Sequence, residues 1–427
     1  MIWGMASPPE FSLILSFEEA RHLVESHAAG LRPRATETAD LLDSCGHILA
    51  EPVLADRDFP PFRRAARDGY ALQSADLKQL PATLRVVGEV KAGAPLAQIP
   101  TLHAGEAAAI MTGAPAPEGA DAVVMVEYTS QRGDEVQIQQ AVEFGANIVA
   151  TGSEAKRGSR LLSPGMYLDH AAISVAASVG KIHLEVYARP LVAVLSTGDE
   201  LVDIDAEPGP TQIRNSNSYS LAAQIQEAGG EPVLLQVAPD EPKRLRELIA
   251  EGLKSDLLLL AGGVSMGKYD LVEQVLAEFE AEFLFTGAKI QPGKPIVFGR
   301  VPCGAGALAR ERLSEQKYFF GLPGNPVSTM VTFQLFARPL LEALAGRTAR
   351  QLVFLHAKLK SEIKVKRGLK RFLPGILSGE FEGAEVELAP WHGSGDIAAT
   401  ALANCYVVIP PDREHIAASE WVAVLMR

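Results

Sequence analysis

The rhythm of apolar and polar positions changes several times along the chain. Ser16 and Glu19 have the spacing of a capping box, and Ala20, Leu23 and Val24 lay down a helical stripe, so a helix is expected from about Phe17. Over residues 56–150 the pattern becomes short β-type runs, at 84–87, 122–126 and 136–138, separated by Gly and Pro. A helical period returns between 161 and 181, with Asp169 as a candidate N-cap and Gly180 as the stop. Residues 191–195 form a continuous apolar run, as in a strand buried on both faces. A helix from about Ser218 to Gly229 and Gly230, a strand at 233–237, a helix at 242–253, a strand at 257–260 and a helix from about Asp270 to Phe279 follow. Further strands are expected at 296–299 and 318–320, then a long helix capped by Asn325, with Pro326 in its first turn and Gly346 near its end. After Leu352 strands and turns return.

Alternating strands and helices at this spacing predict an α/β class with a doubly wound, mostly parallel sheet and helices on both faces. At about 150 residues per domain, 427 residues suit a multidomain chain. The layout expected is a helical and extended linking domain from 10–56 and 151–188, an inserted mostly β module at 57–150, the α/β domain at 189–348, and a small C-terminal β domain at 349–427.

Composition then removes several function classes. The net charge of −12 disfavours a general nucleic-acid binder, because phosphate backbones are repelled. No apolar run approaches the ~18 residues of a membrane span, and the first ten residues lack the basic-then-apolar order of a signal peptide, so a cytoplasmic protein is the default expectation. Cys45, Cys303 and Cys405 are too widely spaced to suggest a metal site or a disulfide framework. The nine histidines show no metal-ligand pairing.

Candidate chemistry sits where such a sheet binds ligands, outside the carboxyl ends of its strands. Ser196-Thr197-Gly198-Asp199-Glu200 follows the first strand. Ala261-Gly262-Gly263-Val264-Ser265-Met266-Gly267 lies between a strand and a helix, and its bare N–H groups suit a phosphate, although it has neither the Walker nor the dinucleotide-binding order. Gly321-Leu322-Pro323-Gly324-Asn325-Pro326-Val327-Ser328 stiffens the third loop. The loop 290–295 holds Lys294 between two prolines. Asp240 and Asp270 would lie at the rim of one crevice, where carboxylates beside phosphates suggest Mg²⁺. Taken singly, each has a bland alternative: a turn before Pro242, or a charge on a helix dipole. Arg67-Asp68-Gly69-Tyr70-Ala71 and the loop 111–121 belong to the β module.

Pro61-Phe62 through Asp68-Gly69-Tyr70-Ala71, Met111-Thr112-Gly113-Ala114, Ser196 to Leu201, Gly262-Gly263-Val264-Ser265, Pro292-Gly293-Lys294-Pro295 and Leu322 to Ser328 occur in this order. The set closely resembles the MoeA family of molybdopterin molybdenumtransferases, to which the C-terminal part of gephyrin is related. The resemblance covers almost the whole chain. It implies an elongated homodimer of four-domain subunits, with the linking domain in dimerisation and the sheet domain binding molybdopterin. It implies a Mg²⁺-dependent reaction in which adenylylated molybdopterin and molybdate give molybdenum cofactor and AMP. A molybdopterin adenylyltransferase would act upstream and molybdoenzyme apoproteins would receive the product.

By the same resemblance Asp68, Thr112, Glu200, Asp240, Asp270 and Lys294 fall at catalytic positions, with Asp240 and Asp270 as metal ligands. Gly262, Gly263, Ser265, Pro323, Gly324, Asn325, Arg371 and Ser394 fall at substrate-binding positions. Asp68 and Thr112 are expected to serve the crevice of the other subunit. The chain departs from the family at Ala65 (often Ser), Glu154 (often Asp), and Gly287 and Gln291 (often Lys), with Lys289 between the last two as a possible substitute charge. Two alternatives therefore stay open: a molybdopterin adenylyltransferase, for which the sheet domain alone would suffice, and a non-catalytic assembly or scaffold protein, suggested by the missing lysines.

Overall fold

A computed structural model describes residues 13–263, 271–302 and 316–427. The first helix, α1 (Phe17–Ala29), begins where the capping box predicts: the Ser16 hydroxyl accepts the Glu19 N–H at 3.2 Å and the Glu19 carboxylate accepts the Ser16 N–H at 2.8 Å. Its apolar stripe, Phe17, Ala20 and Val24, is buried in the core of the distant α/β domain. The N-terminal helix is thus folded onto residues some 300 positions later.

The inserted module contains β1 (Gly69–Leu72), β2 (Ala82–Val90), β3 (Glu106–Ile110), β4 (Ala122–Met125), β5 (Thr129–Arg132) and β6 (Glu135–Ile138). They form one sheet of order β4-β1-β3-β2-β6-β5 with an apolar cluster on each face. The chain then returns to the linking region, where His183–Tyr187 pairs antiparallel with Thr36–Asp40. Helix α2 (His170–Ser178) is shorter than the predicted helical period. The Asp169 carboxylate caps it through the N–H groups of Ala171 and Ala172, while Arg160–Leu162 is a strand paired with Val53–Leu54.

The α/β domain comprises β7 (Leu191–Ser196), α3 (Ser216–Glu227), β8 (Glu231–Leu234), α4 (Pro242–Gly252), β9 (Leu257–Ala261), α5 (Leu271–Glu278), β10 (Glu282–Phe285), β11 (Val297–Pro302), β12 (Gln316–Leu322), α6 (Pro326–Thr332) and α7 (Arg338–Leu344). The sheet order is β8-β7-β9-β12-β11-β10, and β7, β8, β9 and β12 are mutually parallel. Strand β11 runs antiparallel to both β12 and β10, so this end of the sheet is mixed. Val192 and Val194 enter the core beneath α1, α3 and α6, and Ala193 and Leu195 enter the core beneath α4 and α5. That two-sided burial is the physical content of the continuous apolar run.

Between α6 and α7 the helix widens into a π turn at Phe333–Ala337. Pro339 has no N–H to give the carbonyl four residues back. The buried Arg21 of α1 donates to that carbonyl, Leu335 O, at 2.6 Å.

The C-terminal strands β13 (Phe354–Leu359), β14 (Lys370–Ser378), β15 (Glu385–Leu388), β16 (Cys405–Ile409) and β17 (Trp421–Met426) close into a small barrel, because β14 pairs with both β15 and β16. The short strand Ile290–Gln291 of the sheet domain adds to the barrel beside Lys370 and Arg371. Among the described residues no helix is long and apolar enough to cross a membrane.

Candidate functional site

The loops after β7, β9 and β12 meet at the carboxyl ends of the strands. The Thr197 N–H donates to Ala261 O at 3.1 Å, and the Gly262 N–H donates to Leu322 O at 3.1 Å. Gly262 and Gly263 both have positive φ, +94° and +66°. A Cβ on Gly263 would lie 2.5 Å from Val272 Cγ2 and 2.7 Å from the Thr197 hydroxyl. Gly324 rests on Gly262, its missing Cβ 3.6 Å from the Gly262 Cα. The glycines therefore serve a close approach of three backbones.

Two polar atoms on this floor are buried without a hydrogen bond, Thr197 Oγ1 and Asn217 Oδ1. Asn217 lies in the first turn of α3, and its amide nitrogen donates to Gly324 O at 2.7 Å. An unpaired buried hydroxyl and an unpaired amide oxygen cost free energy in the folded protein, which a ligand recovers only where its binding uncovers them. Thr197 belongs to the first candidate loop of the sequence, whereas Asn217 did not stand out there. Asn215, also unremarked there, caps α3 and forms a buried polar triad with Ser196 and Ser218.

The rim is acidic. Asp199 Oδ1 accepts the Asp240 N–H at 3.1 Å, and Gly198 (φ +141°) leaves room for the Glu200 carboxylate, which a Cβ there would strike. Burial, and then the charges of Asp199 and Glu200, push the Asp240 carboxyl above its ordinary value. Among the described residues none of these three carboxylates has an ion-pair partner, and no group of three or more His, Cys, Asp or Glu side chains closes a metal cage. Oxygen-only groups that repel one another, without a complete cage, fit Mg²⁺, which takes one or two carboxylates and keeps sites for substrate phosphates and water. Asp240 and Glu200 are thus brought together. Ser265 and Asp270 lie outside the described residues.

The C-terminal barrel closes the third loop. Asn325 precedes α6 as predicted but does not cap it with its side chain. Its amide nitrogen instead donates to Ser394 Oγ at 2.9 Å, while the Val327 N–H donates to Ser394 O at 3.0 Å. Pro323 O accepts from Thr329 in the first turn of α6. The Lys294 loop packs on the same helix: a Cβ on Gly293 (φ +103°) would strike Thr332. Lys294 is half-buried and has no acidic partner among the described residues. Arg371, only 6% exposed, donates from Nε to Gln291 Oε1 at 2.8 Å and lines a cavity of about 300 Å³ with Lys364 and Trp391.

The departures from the family pattern acquire local reasons. Gly287 pairs with Ile14, and a Cβ there would already lie 3.1 Å from the Ile14 side chain. Gln291 is occupied by Arg371. Lys289 is exposed, and its charge acts on Glu19 of α1. Ala65 is buried in a two-stranded ladder with Ile148, and Glu154 pairs with Arg64 at 2.8 Å.

Asp68 and Thr112 meet in the inserted module. Asp68 Oδ1 accepts both the Thr112 N–H at 2.6 Å and the Thr112 hydroxyl at 2.8 Å, and these bonds hold its carboxyl below the ordinary range. None of the described hydrogen bonds or ion pairs connects this pair to the crevice of the same chain.

Comparison with known proteins covers the same segments. Residues 15–180 match the MoeA N-terminal region (domains I and II), 193–343 a probable molybdopterin binding domain, and 356–426 the MoeA C-terminal region (domain IV). A molybdopterin molybdenumtransferase of Nostoc sp. is 34% identical over 399 residues, spanning 91% of this chain and 88% of that protein. One from Staphylococcus aureus is 30% identical over 394 residues, spanning 91% and 90%. The crystal structure of a molybdopterin biosynthesis MoeA protein from Pyrococcus horikoshii superposes with a TM-score of 0.75 at 27% identity, covering 97% of this chain and all of that one.

Proposed function

The chain belongs to the MoeA family, and from that premise we propose that it is a cytoplasmic, Mg²⁺-dependent molybdopterin molybdenumtransferase. It takes adenylylated molybdopterin and molybdate and releases molybdenum cofactor and AMP. The observation that carries the reading is the crevice floor: glycine backbones at 262, 263 and 324 with two unpaired polar atoms, Thr197 Oγ1 and Asn217 Oδ1, beneath an acidic rim. In this reading the floor binds the nucleotide-tagged pterin.

Asp240, with Asp270, would hold Mg²⁺, which offsets the phosphate charge against the carboxylates. Lys294 and Arg371 carry charges that oxyanions seek, and Ser394 and Asn325 tie the barrel to the crevice. The two dithiolene sulfurs would displace oxo groups of molybdate, which leave with the thiol protons as water, while water cleaves the phosphoanhydride to AMP and the pterin's own phosphate, so positioning and electrostatics carry the catalysis. In a homodimer Asp68 and Thr112, already organised by each other, complete the partner's crevice. The adenylyltransferase alternative needs only the sheet domain, and the flanking matches to both MoeA terminal regions favour the transferase.

Purified protein incubated with adenylylated molybdopterin, Mg²⁺ and molybdate should release AMP well above the rate without protein. Equal rates would overturn the proposal. ATP consumption with free molybdopterin would favour the adenylyltransferase, and binding without turnover the scaffold.

A further inference from the structure

The second large cavity lies at the opposite end of the α6–α7 helix from the crevice, roughly 24 Å away for the 16 helical steps from Pro326 to Glu342. It measures about 590 Å³, within the ~300–1,000 Å³ typical of small-molecule sites. Three parts of the chain wall it: the end of α1, the linking region at Pro164, Gly165 and Tyr187, and the tether from α7 to the barrel. The walls are closely fitted. Gly346 (φ +81°) lies under the Tyr187 ring, where a Cβ would clash, and a Cβ on Gly165 would lie 2.5 Å from the Thr348 hydroxyl.

Its charges do not balance. Glu342, nearly buried, accepts from Arg338 Nε at 3.0 Å, Arg347 Nη1 at 3.2 Å and Arg350 Nη2 at 2.8 Å. Glu25 is paired with Arg21 at 2.5 Å, and Arg32, which lines the cavity, donates to the backbone carbonyls of Ala29 and Leu31 and has no carboxylate partner among the described residues. The cavity wall itself therefore carries three guanidinium groups, Arg32, Arg347 and Arg350, against two carboxylates, Glu25 and Glu342, in a chain whose net charge is −12. Burial pushes Arg347 below its ordinary value, and Glu342 does not restore it against Arg350 and Arg338. Each guanidinium offers five N–H donors, so most of them are unspent. A planar fork of this kind matches the oxygens of a phosphate or carboxylate. Proline, alanine and tyrosine walls beside the arginines suit an apolar or aromatic body.

We propose that this three-way junction is a second ligand site, separate from the crevice, that binds a phosphomonoester of nucleoside-monophosphate size. The phosphate would lie against Arg350, Arg347 and Arg32, and its binding would tie α1, the linking region and the barrel tether together.

Calorimetric titration of the full chain tests this with two probes, AMP and inorganic phosphate. Arg350→Gln leaves Glu342 with two arginines, and Arg32→Gln touches no carboxylate, so both variants are expected to fold. Gly263→Ala obstructs the crevice instead. Wild type should show saturable AMP binding of which one component weakens at least tenfold in R350Q and in R32Q but survives in G263A. A matching loss with phosphate assigns the site to the phosphate group alone, and a loss confined to AMP adds the nucleoside body; both support the proposal. It is overturned if AMP binding is insensitive to R350Q and R32Q, or vanishes entirely in G263A. It is equally overturned if R350Q abolishes self-association in sedimentation, which would make the cavity a seat for a second copy. A silent crevice in wild type with a surviving R350-dependent component would refute the proposed activity and leave this site standing.

Discussion

Thr197→Val should make the protein more stable and less active. Thr197 is 5% exposed, and its hydroxyl is buried without a hydrogen bond beside Gly262 and Gly263. A buried unsatisfied polar group costs about 1–3 kcal/mol, and valine replaces the hydroxyl with a methyl of nearly the same shape. No protein hydrogen bond from the side chain is lost, so the fold should gain about 1 kcal/mol. For a cooperative unit of 150–250 residues that is about 2–4 °C in the melting transition. The hydroxyl's expected partner is the substrate, which must shift the Gly262–Gly263 backbone on binding to reach an oxygen that is otherwise covered. A hydrogen bond to a charged group is worth about 1.5–3 kcal/mol, so kcat/KM for AMP release should fall at least about tenfold. Calorimetric melting and AMP-release kinetics on the same preparation measure both signs. A variant that melts below wild type, or that keeps its full kcat/KM, would refute the reasoning that the orphan hydroxyl is reserved for ligand.

Three further outcomes follow from the same geometry. Asp240→Asn addresses a carboxyl whose value is raised by burial, Asp199 and Glu200. The folded state holds that proton more tightly than the unfolded chain does, so the ionised group weakens the fold as pH rises above the unfolded value of about 4. D240N should therefore resist urea better than wild type at pH 7, with the gap closing on acidification, while its AMP release loses its response to Mg²⁺. Arg21→Met removes the charged donor to Leu335 O, so urea unfolding should show a loss of about 1.5–3 kcal/mol. Gly263→Ala combines a φ of +66° with a Cβ 2.5 Å from Val272, and should abolish AMP release while circular dichroism stays native in shape.

The sequence determined whatever depends on neighbours a few residues apart. The Ser16 and Glu19 capping box, the Asp169 cap and the two-sided burial of residues 191–195 follow from local spacing, and the structure reproduces each. The ordered motifs identified the family for the same reason, since glycine turns and helix starts are written locally. Other features arise only when distant segments meet. Asn325 keeps its predicted N-cap position without a side-chain cap, because Ser394, 69 residues later, accepts the Val327 N–H through its carbonyl and the Asn325 amide N–H through its hydroxyl. Arg21 completes a hydrogen bond that Pro339 cannot make, and Gln291 is spent on Arg371, so neither residue's role is visible in its own neighbourhood. The unpaired atoms of Thr197 and Asn217 are recognisable only once packing has removed water from them. Tertiary structure decided these points because burial and counter-charge belong to a place in space, to which the chain contributes from several positions at once.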